Sequence, residues 1–381
     1  MKQYNFDKKV DRREYYSYKW DYKDDDVISL TIADTDFESS KEVREAVNDI
    51  ASYGRLGYTR VPNKYFDSYV NWFSSRYNAS FKREDCLFST GIVASLDSVL
   101  KRVAKLNEGV MMFTPIYNVF FSCIKNNGLV LKECPFIYDN GKYSIDFKLF
   151  DKLIKEVKVF ILCNPHNPNG YRFTKKEVDY ISNACKENGV YLLSDEIHCD
   201  INYNGKIYHS SLVDLDNPLL ITFLSPGKTF NLAGIHSSIL VIKNKELREK
   251  IGAGLYQDDI GEASIFSINT VINAYNFGSD YVYELNAYLL KNKEFLMKFI
   301  KNNIKGITVI DNPTTYLMWL DISSFGLSST NFCTRLLKEF KVATLPGIKY
   351  GDDRFSRINI ATQFDNLKTA LQRLKLFVDQ L

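Results

Sequence analysis

Short apolar runs of strand length alternate with helical stretches between about residues 85 and 240, and this alternation limits the possible folds most strongly. Between the first two runs, a capping box (Thr174 and Glu177) opens a helix that closes at Asn188 and Gly189. Buried strands that alternate with helices predict a parallel or mixed α/β sheet with both faces covered. The clearest runs, each stopped by polar or turn-forming residues, are Val157–Cys163, Gly189–Ser194 and Leu219–Leu224.

The pattern changes after about residue 280, which predicts a second, smaller α+β lobe. We therefore divide the chain into an N-terminal segment that joins the small domain (1–45), a large domain (46–280) and a small C-terminal domain (281–381). The expected elements of the small domain are a helix over 281–303, strands over 306–310 and 316–321, a helix over 329–340, a strand over 357–361 and a final helix from 365.

Charge and cysteine usage exclude several classes of protein. A net charge of +3 over 381 residues is nearly balanced, and it does not indicate the excess of positive charge that is typical of proteins that bind nucleic acid or an anionic membrane. No segment approaches the ~20 apolar residues of a membrane span. The seven cysteines are scattered without a CxxC spacing, which argues against a disulfide framework and a zinc site and predicts a cytoplasmic protein.

Two residues that follow predicted strands could carry chemistry. Lys228 comes directly after a buried strand, where desolvation lowers the pKa of an amine and makes it a nucleophile. Taken alone, its local sequence favours a lysine of a surface loop. Asp195 ends the preceding strand and needs a cationic partner or several hydrogen bonds, which a protonated pyridine nitrogen could supply. It could instead cap a helix, or join Glu196, His198 and Asp200 in acid–base or metal chemistry. Adjacent strand residues point to opposite faces, which disfavours metal ligation.

Three further segments fit the same site. Asn167 lies in a turn by composition and could donate its amide to a phenolate-like oxygen. Gly91, Ile92 and Val93 follow a strand and open a helix, an arrangement that binds anions through backbone N–H groups. Arg357 projects from a short strand, and its planar fork suits a carboxylate, although a structural salt bridge would explain it as well.

These segments, in this order, resemble the fold-type I enzymes of the class I/II aminotransferase group, which depend on pyridoxal 5'-phosphate (PLP). The nearer resemblance is to the MalY/PatB branch, the cystathionine β-lyase (C–S lyase) type, and it extends from about residue 12 to the C-terminus. The matching stretches are Lys19–Asp21, Ile32–Phe37, Gly57–Arg60, Thr114–Tyr117, Cys163–Pro168 (CNPHNP), Ser194–Asp200 (SDEIHCD), Lys228–Asn231 (KTFN) and Pro346–Ala361.

The resemblance implies a fold and a set of roles. The fold is a large domain with a mixed, mostly parallel sheet between helices, joined to a smaller α+β domain. The protein would form a homodimer in which Tyr58 reaches the phosphate in the partner's site. At the cofactor ring, the implied roles are Lys228 as the Schiff-base lysine and proton shuttle, Asp195 at the pyridinium nitrogen, Asn167 at the ring oxygen with His198 beside it, and Tyr117 stacked on the ring. The implied phosphate ligands are Gly91, Ile92, Val93 and Ser225. Arg357 and the backbone of Ala33 would bind the substrate carboxylate.

Three departures from the family pattern concern the phosphate site and the arginine loop. Gly227 stands where relatives often have serine, and His236 stands where the wider group commonly has arginine. The stretch 348–353 before Arg357 is shorter than its glycine-rich counterpart. We therefore expect phosphate binding to depend more on backbone N–H groups and Tyr58.

The sequence leaves three functions open. In β-elimination, Lys228 removes the Cα proton, a thiolate leaves Cβ, and hydrolysis gives pyruvate and ammonia. In transamination, Lys228 returns the proton to the cofactor, so the amino group passes to a 2-oxo acid. A non-catalytic regulatory protein could also retain the fold. The branch resemblance favours the lyase, with a small amino acid as substrate.

Overall fold

A computed structural model describes residues 4–203, 208–213 and 216–381, and a twisted seven-stranded sheet lies at its centre. The strands are β1 (Ile28–Ser29), β2 (Cys86–Ser89), β3 (Gly109–Thr114), β4 (Val130–Pro135), β5 (Ile137–Asp139), β6 (Lys142–Ser144), β7 (Val159–Cys163), β8 (Tyr191–Asp195), β9 (Leu220–Leu224), β10 (Ser238–Val241), β11 (Thr308–Val309), β12 (Leu317–Asp321), β13 (Val342–Ala343), β14 (Leu345–Pro346) and β15 (Phe355–Asn359). The helices are α1 (Lys41–Tyr53), α2 (Asn63–Tyr77), α3 (Ile92–Val103), α4 (Val119–Asn126), α5 (Phe147–Leu153), α6 (Lys175–Glu187), α7 (Lys245–Gln257), α8 (Ile265–Phe277), α9 (Ser279–Asn303), α10 (Ser329–Phe340) and α11 (Phe364–Val378).

The central sheet has the strand order β2-β10-β9-β8-β7-β3-β4. Strand β10 runs antiparallel to both of its neighbours, and the other strand pairs of this sheet are parallel. The predicted mixed, mostly parallel sheet is therefore confirmed. The three apolar runs identified in the sequence are β7, β8 and β9, and they lie side by side in the middle of the sheet.

Helices cover both faces of this sheet. In β3, Val110 and Met112 pack into one core cluster with side chains of α3, α4 and α7. Met111 and Phe113, which alternate with them, pack into a second cluster with side chains of α5 and α6. This alternation follows from the two-residue period of a strand and explains why the central strands are apolar at nearly every position.

A four-stranded antiparallel sheet in the order β11-β12-β15-β14 forms the core of the second lobe, with α10 and α11 beside it. The N-terminal segment joins this lobe, because β1 pairs with β13 in parallel and the N–H of Asn359 donates to the carbonyl of Leu30 at 2.8 Å. The boundaries at 45 and 280 stay predictions. Residues 1–3, 204–207 and 214–215 of the predicted segments lie outside the described residues.

Two findings concern the described residues as a whole. None of their helices combines the length and the apolar character needed to cross a membrane. The seven cysteines are all buried, and none forms a disulfide.

Candidate active site

A cavity of about 770 Å³ opens at the carboxyl ends of β2, β7, β8 and β9, where it meets the second lobe. Its position is the one expected for a ligand site in an open α/β sheet. Every residue that the sequence analysis placed in the site, except Tyr58, lines this cavity: Lys228, Asp195, Asn167, His198, Tyr117, Gly91, Ile92, Val93, Ser225, Arg357 and Ala33.

The amine of Lys228 lies inside the cavity and donates to the carbonyl oxygen of Ala33 at 2.6 Å. Burial lowers the pKa of Lys228 to about 8, Arg357 adds to this lowering, and the carboxylates of Asp34 and Asp195 oppose it. At pH 7 about a tenth of the amine is therefore neutral and nucleophilic, a far larger share than for an exposed lysine.

Asp195, the last residue of β8, faces the cavity and is buried. The N–H of Ile197 donates to its Oδ1 at 3.1 Å. Burial raises the pKa of Asp195 to about 7, because this hydrogen bond and the charge of Lys228 compensate only part of the desolvation. A cationic partner in the cavity would restore the charged form of the carboxyl.

Glu196 and Asp200 do not join Asp195 in a common site. Glu196 accepts hydrogen bonds from Ser194, Ser210 and Ser211, while Asp200 binds side chains outside the cavity. Among the described residues, no group of histidine, cysteine, aspartate and glutamate side chains is arranged to hold a metal ion.

His198 and Asn167 present nitrogen atoms at the cavity wall. Burial lowers the pKa of His198 to about 3, so its ring is neutral, and its Nδ1 is buried without a partner among the described residues. The Oδ1 of Asn167 accepts a hydrogen bond from Arg357 at 3.2 Å. Because its oxygen is engaged in this way, the amide of Asn167 has its NH₂ group available as a donor.

Three segments of the chain contact the Arg357 side chain on β15, and the bond to Asn167 is one of these contacts. Its Nη2 donates to the carbonyl of Thr31 at 2.9 Å, and its guanidinium carbon lies 4.8 Å from the ring centre of Tyr350. Its Nε is buried without a partner among the described residues. A buried guanidinium with an unused donor is suited to bind a carboxylate.

The turn before α3 also borders the cavity. Gly91 has a φ of 170°, an extended conformation open to any residue, and a Cβ added there would meet no atom of the chain within 4 Å. The N–H groups of Ile92 and Val93 belong to the first turn of α3, where no intrahelical acceptor exists, so they can bind an anion.

The hydroxyl of Ser225, the other predicted phosphate ligand, already takes part in hydrogen bonds within the chain. Ser225 donates to the carbonyl of Ser237 at 2.8 Å and accepts from the N–H of Gly227 at 3.1 Å. His236 and Ser237 line the cavity near it. A hydroxyl bonded in this way donates to an anion only after it releases Ser237.

Tyr58 lies outside the cavity and is fully exposed. Its neighbour Thr59 forms an isolated bridge with Ala263. Within one chain, the Tyr58 side chain therefore has no part in the site, and its predicted role depends on a second subunit.

Several residues that line the cavity were not predicted from the sequence. Leu345 lies opposite Arg357 in the β14–β15 pair, and Tyr350 packs beneath the guanidinium. These side chains come from short segments without strand or helix patterns, so a local sequence signal could not have found them. Tyr18, Asn118 and Lys349 also line the cavity.

The family model described as aminotransferase class I and II matches residues 25–374. Cystathionine beta-lyase PatB of Bacillus subtilis (strain 168) is 31% identical over 382 residues, which cover 97% of this chain and 99% of the relative. The solved structure of a PLP-bound putative aminotransferase from Clostridium difficile 630 is 32% identical, with a TM-score of 0.93 and coverage of 98% and 99% of the two chains. A PLP-bound C-S lyase from Staphylococcus hominis is 28% identical, with a TM-score of 0.92 and coverage of 99% and 98%.

Proposed function

The chain belongs to the class I and II aminotransferase family of PLP-dependent enzymes, and we propose that it cleaves the C–S bond of cystathionine or a related L-cysteine thioether by β-elimination. The products are pyruvate, ammonia and a thiol. The observation that carries the chemistry is the convergence of the Lys228 amine, the Asp195 carboxyl and the Arg357 guanidinium on one cavity. The 31% identity with a cystathionine β-lyase over almost the whole chain supports the lyase reaction.

The residues present fit PLP. The buried carboxyl of Asp195 has a raised pKa and would be stabilised by a pyridinium nitrogen, and the free N–H groups at the start of α3 would bind a phosphate. The Nδ1 of His198 has no partner among the described residues, and the NH₂ group of Asn167, which lines the same cavity, is free to donate. When bound, PLP supplies an electron sink for the electron pair left by the Cα–H bond.

In the reaction, the residues of the chain bind, orient and move protons. Arg357 would bind the substrate α-carboxylate through guanidinium N–H groups that its two hydrogen bonds leave free, and the backbone at Ala33 lines the same cavity. Lys228 would hold the cofactor through Nζ and, once displaced by the substrate amine, accept the Cα proton at the same atom. Asp195 would hold the proton on the ring nitrogen, and Tyr117 would pack against the ring.

We also propose a homodimer in which Tyr58 contributes to the partner's phosphate site. Its complete exposure in the single chain supports this role. The cytoplasm is part of the same proposal, because seven buried free thiols suit a reducing compartment.

The deciding experiment measures pyruvate from L-cystathionine with the purified PLP-loaded enzyme and no added 2-oxo acid. We expect pyruvate, ammonia and thiol in equal amounts. Lys228→Ala should abolish both turnover and borohydride-fixed cofactor, whereas Lys243→Ala, which changes an exposed lysine outside the cavity, should leave both unchanged.

A second candidate function is transamination, which the similarity to a PLP-bound putative aminotransferase favours. The same assay separates the two. Turnover that depends strictly on an added 2-oxo acid would overturn the lyase proposal. A protein that binds the cofactor but turns over neither substrate would point to the regulatory alternative.

A further inference from the structure

Asp200 is a buried carboxylate that neither the cofactor nor the substrate contacts in the proposed function. It follows Asp195 by five residues, lies outside the cavity, and its side chain is only 2% exposed. A buried carboxylate is costly unless several donors satisfy it, so its presence next to the site calls for a physical reason.

The two oxygens of Asp200 bind different parts of the molecule. Oδ1 accepts from Trp72 Nε1 at 3.1 Å and from the hydroxyl of Tyr77, both on α2, and Arg76 Nε lies 3.5 Å away. Oδ2 accepts from Thr229 Oγ1 at 2.9 Å. The carboxylate therefore connects α2 to the loop that bears the cofactor lysine.

The main chain at Asp200 is fixed as well. Asn286 Nδ2, on α9, donates to the Asp200 carbonyl at 2.8 Å and to the carbonyl of Val282 one turn earlier at 2.9 Å. Thr229 is the residue after Lys228, and the segment that carries Asp200 also carries Asp195 and His198. One short segment thus contains the proposed pyridinium partner, Asp195, and is bonded to the lysine loop through Asp200.

We propose that Asp200 is a positioning residue that sets the place of Lys228 relative to Asp195 through its hydrogen bond to Thr229. This inference rests on the proposed function for the role of Lys228. A carboxylate suits the task because its two oxygens accept donors from opposite sides. The donors on α2 fix the orientation of the Asp200 carboxylate through Oδ1. Oδ2 then fixes the position of the lysine loop through Thr229.

The test removes the link with the smallest change of shape. In Thr229→Val a methyl group replaces the hydroxyl, whereas Thr229→Ser retains the hydroxyl. Thr229→Ala is the second variant without a hydroxyl, in case the valine disturbs packing. Each is purified with PLP, and the visible circular dichroism per bound cofactor is measured together with kcat and KM.

For Thr229→Val and Thr229→Ala we expect kcat to fall about tenfold with KM almost unchanged, because a displaced lysine impairs proton transfer more than substrate binding. The visible circular dichroism should fall to about half or less, since it reports the orientation of the bound cofactor in its site. Thr229→Ser should restore both properties to within about twofold of the wild type.

Two controls separate positioning from general stability. Thr270→Val makes the same exchange at a buried threonine of α8 whose hydroxyl has no partner among the described residues. Tyr77→Phe removes one donor from the same carboxylate, while Trp72 and Arg76 on α2 still hold its orientation and its link to Thr229 stays intact. Both should retain the dichroism and kcat, whatever happens to the melting temperature.

Three results would overturn the inference. These are wild-type dichroism and kcat in Thr229→Val and Thr229→Ala, an equal loss in Thr229→Ser, or an equal loss in Thr270→Val. Failure of the proposed function is visible separately. If the wild type makes no pyruvate without a 2-oxo acid, the lyase proposal fails, while the dichroism series still decides the role of Asp200.

Discussion

The most informative single residue is Lys228, because its reactivity depends on its burial. Burial lowers its pKa to about 8, so its amine should react with aldehydes in the cofactor-free protein at a pH where exposed lysines, with pKa values near ~10.4, are still protonated. Reductive methylation of the cofactor-free protein, followed residue by residue with mass spectrometry between about pH 6 and 11, should give a midpoint near 8 for Lys228.

The variant Asp195→Asn tests the direction in which the charge of Asp195 shifts the Lys228 midpoint. The charge of Asp195 raises the pKa of Lys228, so its neutralisation should move the midpoint below that of the wild type. The lowered pKa of Lys228 also makes the folding stability depend on pH. Between the folded pKa and the unfolded value the unfolded chain binds more protons at this position, and stability from this group rises with pH. A Lys228 midpoint equal to that of exposed lysines would contradict the prediction.

Site residues at strand ends were predictable, and those fixed by distant contacts were not. Asp195 and Lys228 could be found because polar residues after buried strands must border the ligand-binding edge of the sheet. The sequence contains no signal that the hydroxyl of Ser225 is bonded to Ser237, or that Arg357 orients the amide of Asn167. These contacts depend on residues 12 and 190 positions apart in the chain.

At the scale of single elements, helix α6 allows a direct test of a predicted boundary. The Thr174 side chain accepts from the N–H of Glu177, and the Glu177 carboxylate accepts from the N–H of Thr174 at 2.7 Å. Thr174→Ala should lower the free energy of unfolding by about 1 kcal/mol, because it leaves a helix N–H without its acceptor. Urea unfolding, with an unchanged slope, measures this loss.

The matched control is Thr369→Ala in the interior of α11. There alanine replaces a weaker helix former without removing a cap, so stability should stay the same or rise by a few tenths of a kcal/mol, on the order of the propensity difference. Equal losses in the two variants would show that the cap has no specific effect.

The presence of a helix or strand was predicted better than the residues at which it begins and ends or the strand with which it pairs. Helix α10 coincides with the expected 329–340, and α6 differs from its expected range by one residue at each end. The last strand was expected over 357–361 but is Phe355–Asn359, a shift of two residues that keeps the same side chains on each face. The pairing of β1 with β13 joins residues more than 300 positions apart, and no local pattern encodes it.

At the scale of the whole molecule, the proposed dimer predicts that two inactive variants can restore activity together. Lys228→Ala and Tyr58→Ala subunits, mixed under conditions of subunit exchange, form hybrids. One site of each hybrid then has a native lysine from one chain and a native Tyr58 from the other. We expect pyruvate production well above that of either variant alone.

Mixing Lys228→Ala with Asp195→Ala is the matched control, because both residues line the cavity of a single chain. In a hybrid of these two variants each site lacks one of them, and mixing should restore nothing. If Tyr58→Ala behaved in the same way, Tyr58 would act within its own chain or not at all.

The hydrogen bond from Arg357 to the carbonyl of Thr31 has a consequence for the biosynthesis of the protein. It joins groups 326 positions apart, and the cavity wall contains both the early Ala33 and the late Arg357. A ribosome that has translated residue 340 has already made Lys228, Asp195 and Asn167, but not the arginine that orients Asn167. The proposed capture of the substrate carboxylate by Arg357 therefore has to wait until translation is almost finished, even if the large sheet folds and takes up its cofactor earlier.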